Sequence, residues 1–215
     1  MNLKLFTTIY FTISTLEIIF GSNHFQTGVF LTKPLIMISI MFFYFFQTQN
    51  QRSLQDKLML IAFFFSMLGD TFLMIKGEHN FMFGLGSFLI THLLYIFVFS
   101  RNCLKTKVLY RILMLSFSII MLLILKNNIS NSLLFPIIIY MLTITIMAIS
   151  AVERNTNPES FRLVLMGAIL FVLSDSLIAI DKFVLPIPFP TIFIMGTYVL
   201  AQYWICVGFL RRNLI

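Results

Sequence analysis

LMLIAFFFSMLGDTFLMI (Leu58–Ile75) contains a single charged side chain, Asp70, with Lys57 and Lys76 standing at its two ends. About 20 apolar residues is the length a helix needs to cross the hydrocarbon core of a bilayer. The run is continuous and lacks strict alternation, so it reads as a helix rather than a barrel strand. Seven more segments have this character: Leu5–Phe20, Val29–Phe46, Phe81–Phe99, Val108–Leu125, Ser132–Ser150, Leu163–Ile180 and Thr191–Leu210. Together they predict an all-α polytopic membrane helix bundle of eight transmembrane helices, with residues 1–215 forming a single integral membrane domain. Composition agrees: of 215 residues 59% are hydrophobic and 11% charged, against about 25% charged in soluble domains. Lys4 followed by Leu5–Phe20 imitates a secretory signal, but no A-x-A-like cleavage site follows and further spans do, so it reads as the first membrane helix.

The net charge of +7 does not point to nucleic acid, because the basic residues are scattered through short loops. They report topology instead. Lys4, Arg52, Lys57, Arg101, Lys105, Lys107, Arg111, Arg154, Arg162, Arg211 and Arg212 fall on one side of the predicted spans, and Lys33, Lys76, Lys126 and Lys182 on the other. By the positive-inside rule this predicts a multi-pass cell-membrane protein with both termini in the cytoplasm. Cys103 and Cys206 have no metal-like or disulfide-like partners in the sequence and read as structural.

The same depth recurs in the seventh segment. Asp175 lies thirteen residues after Arg162 and six before Asp181, as Asp70 lies thirteen after Lys57 and six before Lys76. Both then fall in the outer half, roughly 9 Å below the outer flanking charge at 1.5 Å per residue. An acidic side chain near the bilayer centre costs about 2.5–3.5 kcal/mol on insertion scales, so each is a functional-site candidate. The surrounding octets, LGDTFLMI (Leu68–Ile75) and LSDSLIAI (Leu173–Ile180), share one pattern, and Pro34 and Pro136 precede the aspartates by 36 and 39 residues. The expectation is two four-helix repeats in the same orientation, 1–100 and 108–212. Gly69 and Ser174 are small enough for close helix approach. Two carboxylates sharing one dry pocket would divide into an acid and a base. The plainer alternative is that each aspartate ties helices together through a basic or hydroxyl partner.

Other polar side chains interrupt the apolar helices. Gly84, Phe88, His92 and Tyr95 fall on one stripe of the fourth helix. His92 is either a hydrogen-bonded structural residue or part of a site; His24 and His79 fall in or near loops, so no three-histidine metal site is expected, nor any cofactor. Lys33-Pro34 is expected to open the second helix, with Lys33 either snorkelling or meeting an anionic headgroup. Tyr198 and Gln202 are one turn apart in the last span and suit either substrate positioning or helix tying. Tyr140 is a further polar candidate, and Glu17, near the end of a short helix, reads as interfacial.

These pieces in this order resemble the YhhN-like membrane family, which includes the lysoplasmalogenases. The matching elements are KPL (Lys33–Leu35), Gly69-Asp70, the Gly84–Tyr95 stripe, GAILFVLSD (Gly167–Asp175) with Ala179 and Phe183, and Tyr198 with AQY (Ala201–Tyr203). The resemblance implies hydrolysis of the vinyl-ether bond of a lysophospholipid, a lysoplasmalogen, to a fatty aldehyde and glycerophospho-ethanolamine or -choline. It implies Asp70 and Asp175 as the acid–base pair and Lys33, His92, Tyr95, Tyr198 and Gln202 as substrate-binding residues, with membrane lipids as the surroundings.

Competing classes remain open at this stage. A proton-coupled transporter or non-catalytic lipid-binding protein would also use intramembrane acids, although the sequence shows no helix broken by central Gly or Pro pairs. MLGD (Met67–Asp70) approaches the GxGD pattern of intramembrane aspartyl proteases, but the second aspartate sits in LSD and no P-A-L motif exists. No lysine lies mid-helix to hold retinal.

Overall fold

In a computed structural model, which describes residues 2–102 and 108–213, the chain is all-helical. Cys103, Lys105 and Lys107 lie outside the described residues. Eight helices are described: α1 (Leu3–Ser22), α2 (Gln26–Gln47), α3 (Leu54–Met74), α4 (Glu78–Phe99), α5 (Val108–Leu125), α6 (Asn131–Val152), α7 (Pro158–Phe183) and α8 (Pro190–Leu210). All eight are long and apolar enough to cross a membrane. This is a multi-pass membrane protein.

Several helices outrun their apolar segments, and polar caps begin α3 and α7. Ser53 caps α3: its hydroxyl accepts from the Asp56 amide, while the Asp56 carboxylate accepts from the Ser53 amide at 2.9 Å. Asp56 also receives the Tyr44 phenol at 2.6 Å, which ties α2 to α3. Asn157 caps α7 by accepting from the Ser160 amide at 2.8 Å, and Pro158 takes the first turn, where no N–H is needed. Pro190 does the same for α8.

Two sequence expectations change. Pro34 does not open α2; the helix begins at Gln26, after a turn through His24 at φ 57°, so Pro34 sits in its interior. A proline there withholds the hydrogen bond that the Phe30 carbonyl would otherwise receive, as Pro136 does within α6. Glu17, expected near the interface, is 2% exposed, because its face of α1 turns inward with Phe6, Tyr10 and Ser14.

The chain divides into two compact units, Met1–Val98 and Phe99–Ile215. In the first, α1 packs on α2 and α2 on α3, with the Phe6 and Phe43 rings stacked at 4.0 Å. The α3–α4 seam is closed by small residues. A side chain at Gly69 would meet the Phe88 ring at 2.7 Å, and one at Gly84 would meet Leu73 at 2.7 Å. In the second unit α5 packs on α6, α6 on α7, and α7 closely on α8. At Gly167 an added Cβ would lie 2.8 Å from the Ala201 carbonyl, so the two backbones nearly touch. Where the helices leave the membrane in this unit, Arg111 pairs with Glu153 at 2.6 Å and Arg154 is buried over the Phe99 and Phe209 rings. Burial, and after it the neighbouring Arg212 charge, pull the Arg154 guanidinium down to about 10.

Candidate functional site

The first unit places Asp70 on the inward face of α3. The buried positions Asp56, Met59, Ala62, Phe63, Ser66, Gly69 and Asp70 recur every three or four residues, which is one helical stripe. Asp70 is 3% exposed. One turn away, the Ser66 hydroxyl donates to Thr91 at 3.3 Å, and Thr91 donates to the Ala62 carbonyl of α3 at 3.1 Å. That pair fixes the rotation of α4 against α3. It sets the α4 stripe inward: Gly84, Phe88, His92 and Tyr95 are all buried, the last two completely. Tyr95 meets the Phe63 ring edge-on at 6.3 Å. Lys33 is half-buried on α2.

The second unit gives Asp175 a different setting. It is half-buried on α7, and the Tyr140 phenol of α6 donates to its Oδ2. Ser174 beside it is buried and donates to the Ile194 carbonyl of α8 at 3.0 Å. On α8, Gln202 Nε2 donates to the Tyr198 hydroxyl at 3.4 Å, and both side chains are buried. Phe171 of α7 stands edge-on to the Tyr198 ring at 5.6 Å, which holds that phenol in place. So Tyr198 and Gln202, one turn apart on α8, form a polar couple.

Sequence reading undervalued three residues. Tyr140 is one turn after Pro136 in a strongly apolar helix, the only signal of its role. Thr91 and Ser174 carry bonds between helices, but a lone hydroxyl in an apolar run gives little notice, because it usually bonds to its own helix. Among the described residues no group of three His, Cys, Asp or Glu side chains comes together as a metal site.

A family model, the YhhN family, matches residues 28–209. The chain belongs to the YhhN family. The YhhN match contains Asp70, Asp175, Lys33, His92, Tyr95, Tyr198 and Gln202. Among curated relatives, the chain is 29% identical over 157 residues to lysoplasmalogenase TMEM86A of Bos taurus, covering 69% of this chain and 63% of that one. It is 28% identical over 147 residues to lysoplasmalogenase TMEM86A of Homo sapiens, with 66% and 60% covered. It is also 28% identical over 146 residues to lysoplasmalogenase TMEM86B of Rattus norvegicus, with 68% and 58% covered. The chain thus spans about three fifths of the length of these relatives. No solved structure matches.

Proposed function

We propose that this chain hydrolyses the vinyl-ether bond of lysoplasmalogens, releasing a fatty aldehyde and glycerophospho-ethanolamine or -choline. The observation that carries the reading is the family match over residues 28–209, which takes in every candidate site residue, together with relatives named lysoplasmalogenases.

The chemistry suits carboxylates. Protonating the outer vinyl carbon makes an oxocarbenium ion; water adds to it, gives up a proton, and the hemiacetal collapses to aldehyde and glycerol hydroxyl. The steps need an acid, a base and a negative charge near the cation, and no serine or cysteine nucleophile. Asp70 and Asp175 are assigned these duties. Asp175 already accepts a phenol hydrogen bond, which suits it to accept from water and face the cation. Asp70 then supplies the proton. Lys33 would meet the phosphate, and His92, Tyr95, Tyr198 and Gln202 would position water and glycerol. The Lys/Arg bias supports both termini in the cytoplasm and the aspartates in the outer half. Single cysteines replacing Lys76 and Arg52 in a cysteine-free background should react with an impermeant label from opposite sides.

The decisive measurement is aldehyde release by purified protein given lysoplasmenyl-ethanolamine or lysoplasmenyl-choline. Asp70→Asn and Asp175→Asn should each lose about 10²-fold or more, the scale of a positioned acid or base. Full turnover in both folded variants would overturn the assignment. Binding of these lipids with no aldehyde from the wild type would replace the hydrolase with a lipid-binding or transport protein.

A further inference from the structure

Glu17 is the one acidic side chain of α1. It is 2% exposed, and its Oε2 has no hydrogen-bond donor among the described residues. The buried serine and threonine within α1 and α2 do not serve it. Ser14 donates to the Tyr10 carbonyl and Thr32 to the Gly28 carbonyl, each at 2.8 Å, within their own helices. The Lys33 charge acts on Glu17, but the two make no direct ion pair among the described residues. A buried carboxylate oxygen with no donor is costly. A nearby cation that stops short of it does not remove that cost.

Glu17, Lys33 and Asp70 lie at similar depth. Glu17 is five residues from the end of α1, Lys33 seven from the start of α2, and Asp70 four from the end of α3. At 1.5 Å per residue these are roughly 6–10 Å from the same face, since successive spans alternate direction. Glu17 and Lys33 are set slightly deeper than Asp70, so a lysolipid whose vinyl ether reaches Asp70 would lie aslant, its headgroup alongside at the depth of Glu17 and Lys33.

We propose that Glu17 and Lys33 form a subsite for the phosphoethanolamine headgroup, with the primary ammonium donating to the Glu17 carboxylate and the phosphate meeting Lys33. The proposal rests on the lysoplasmalogenase reading and deepens it by naming the headgroup. The headgroup zwitterion has its two charges separated by two carbons, and Glu17 and Lys33 offer the complementary pair of charges on two packed helices, α1 and α2. The unpartnered oxygen decides between headgroups. A primary ammonium carries three N–H donors; the trimethylammonium of choline carries none and is bulkier. Choline would leave Oε2 unsatisfied, and a buried acceptor left unpaired discriminates strongly. Glu17 lies outside the stretch matched by the family model, whereas Lys33 lies within it, so this half of the subsite comes from α1.

The test has two arms. In the first, kcat/KM is measured for lysoplasmenyl-ethanolamine and lysoplasmenyl-choline in the same detergent. Wild type should favour ethanolamine, and Glu17→Gln should lower the ethanolamine-to-choline ratio about tenfold or more, the scale of one charge-assisted hydrogen bond. The loss should appear in KM for the ethanolamine substrate. Lys33→Gln should weaken both substrates and leave their ratio. In the second arm, calorimetry follows binding of the saturated alkyl-ether analogues of the two lipids, which cannot be hydrolysed. If no aldehyde forms but the analogues bind with a Glu17-dependent headgroup preference, the hydrolase reading fails and the subsite stands. A wild type indifferent to headgroup, or a Glu17→Gln protein with an unchanged ratio, overturns the subsite. Should Glu17→Gln fail to fold, Glu17→Asp, which keeps the charge and shortens the reach, must lower the ratio by a smaller factor; an unchanged ratio there also overturns it.

Discussion

The two aspartate helices, α3 and α7, carry the same short pattern and use it differently. Locally they agree: the hydroxyl after each aspartate bonds back one turn, Thr71 to the Met67 carbonyl at 2.8 Å and Ser176 to the Val172 carbonyl at 2.7 Å. Their neighbours differ. Asp70 is 3% exposed and follows a glycine pressed against the Phe88 ring. Asp175 is half-buried, follows a serine bonded to another helix, and takes the Tyr140 phenol. The repeated octet therefore sets a carboxyl at a given height on a helix, and the packing partner decides what that carboxyl can do. Equal depth in the sequence did not become equal burial.

The largest effects test that difference at the carboxyls. Asp70→Asn and Asp175→Asn are close in shape and keep a hydrogen-bond acceptor, so they should fold and yet lose about 10²-fold or more in turnover. If the two have distinct duties, the surviving pH–rate profiles should differ in which limb is lost; identical profiles would mean that the packing difference has no chemical consequence. Tyr140→Phe comes next. It removes only the phenol that orients Asp175, and kcat should fall roughly tenfold, or about 1.4 kcal/mol, with KM steady. A variant whose KM rises while kcat holds would place Tyr140 on the substrate instead of on Asp175.

The spans were legible because about 20 apolar residues between charges admit few other folds, and the stripe from Gly84 to Tyr95 was legible because helical spacing puts its members on one face. Helix ends were less so: the Ser53–Asp56 capping box and the Asn157-Pro158 start lie in polar stretches that a hydrophobic window discards. Pro34 misled for the same reason, since α2 begins among Gln26, Thr27 and Gly28, which look like loop. The burial of Glu17 follows from which face of α1 packs on α2, and its place near the end of an apolar run gives no notice of that. The Tyr140–Asp175 bond joins residues 35 apart on different helices, and a single sequence has no term for which faces of two apolar helices meet.

The smallest effects concern how tightly the aspartate helices are held, read as stability in detergent by chemical or thermal unfolding. Gly167→Ala should be the most damaging of three substitutions. Its Cβ would meet the Ala201 carbonyl at 2.8 Å and the Ile205 amide at 3.0 Å, and backbone cannot step aside without separating α7 from α8; overpacking of this kind costs about 1–3 kcal/mol or more. Gly69→Ala should cost less, because what it meets is the Phe88 ring, and a ring can turn where a backbone cannot. Ser174→Ala should cost least, about 0.5–1.5 kcal/mol for one neutral hydrogen bond. The Ile194 carbonyl that loses Ser174 lies within α8, where the Tyr198 amide one turn on is its helical donor, so no buried acceptor is orphaned. If Gly69→Ala proved costlier than Gly167→Ala, the α3–α4 seam would be the more rigid of the two, and the deeper burial of Asp70 would follow from that rigidity instead of from the closeness of a movable ring.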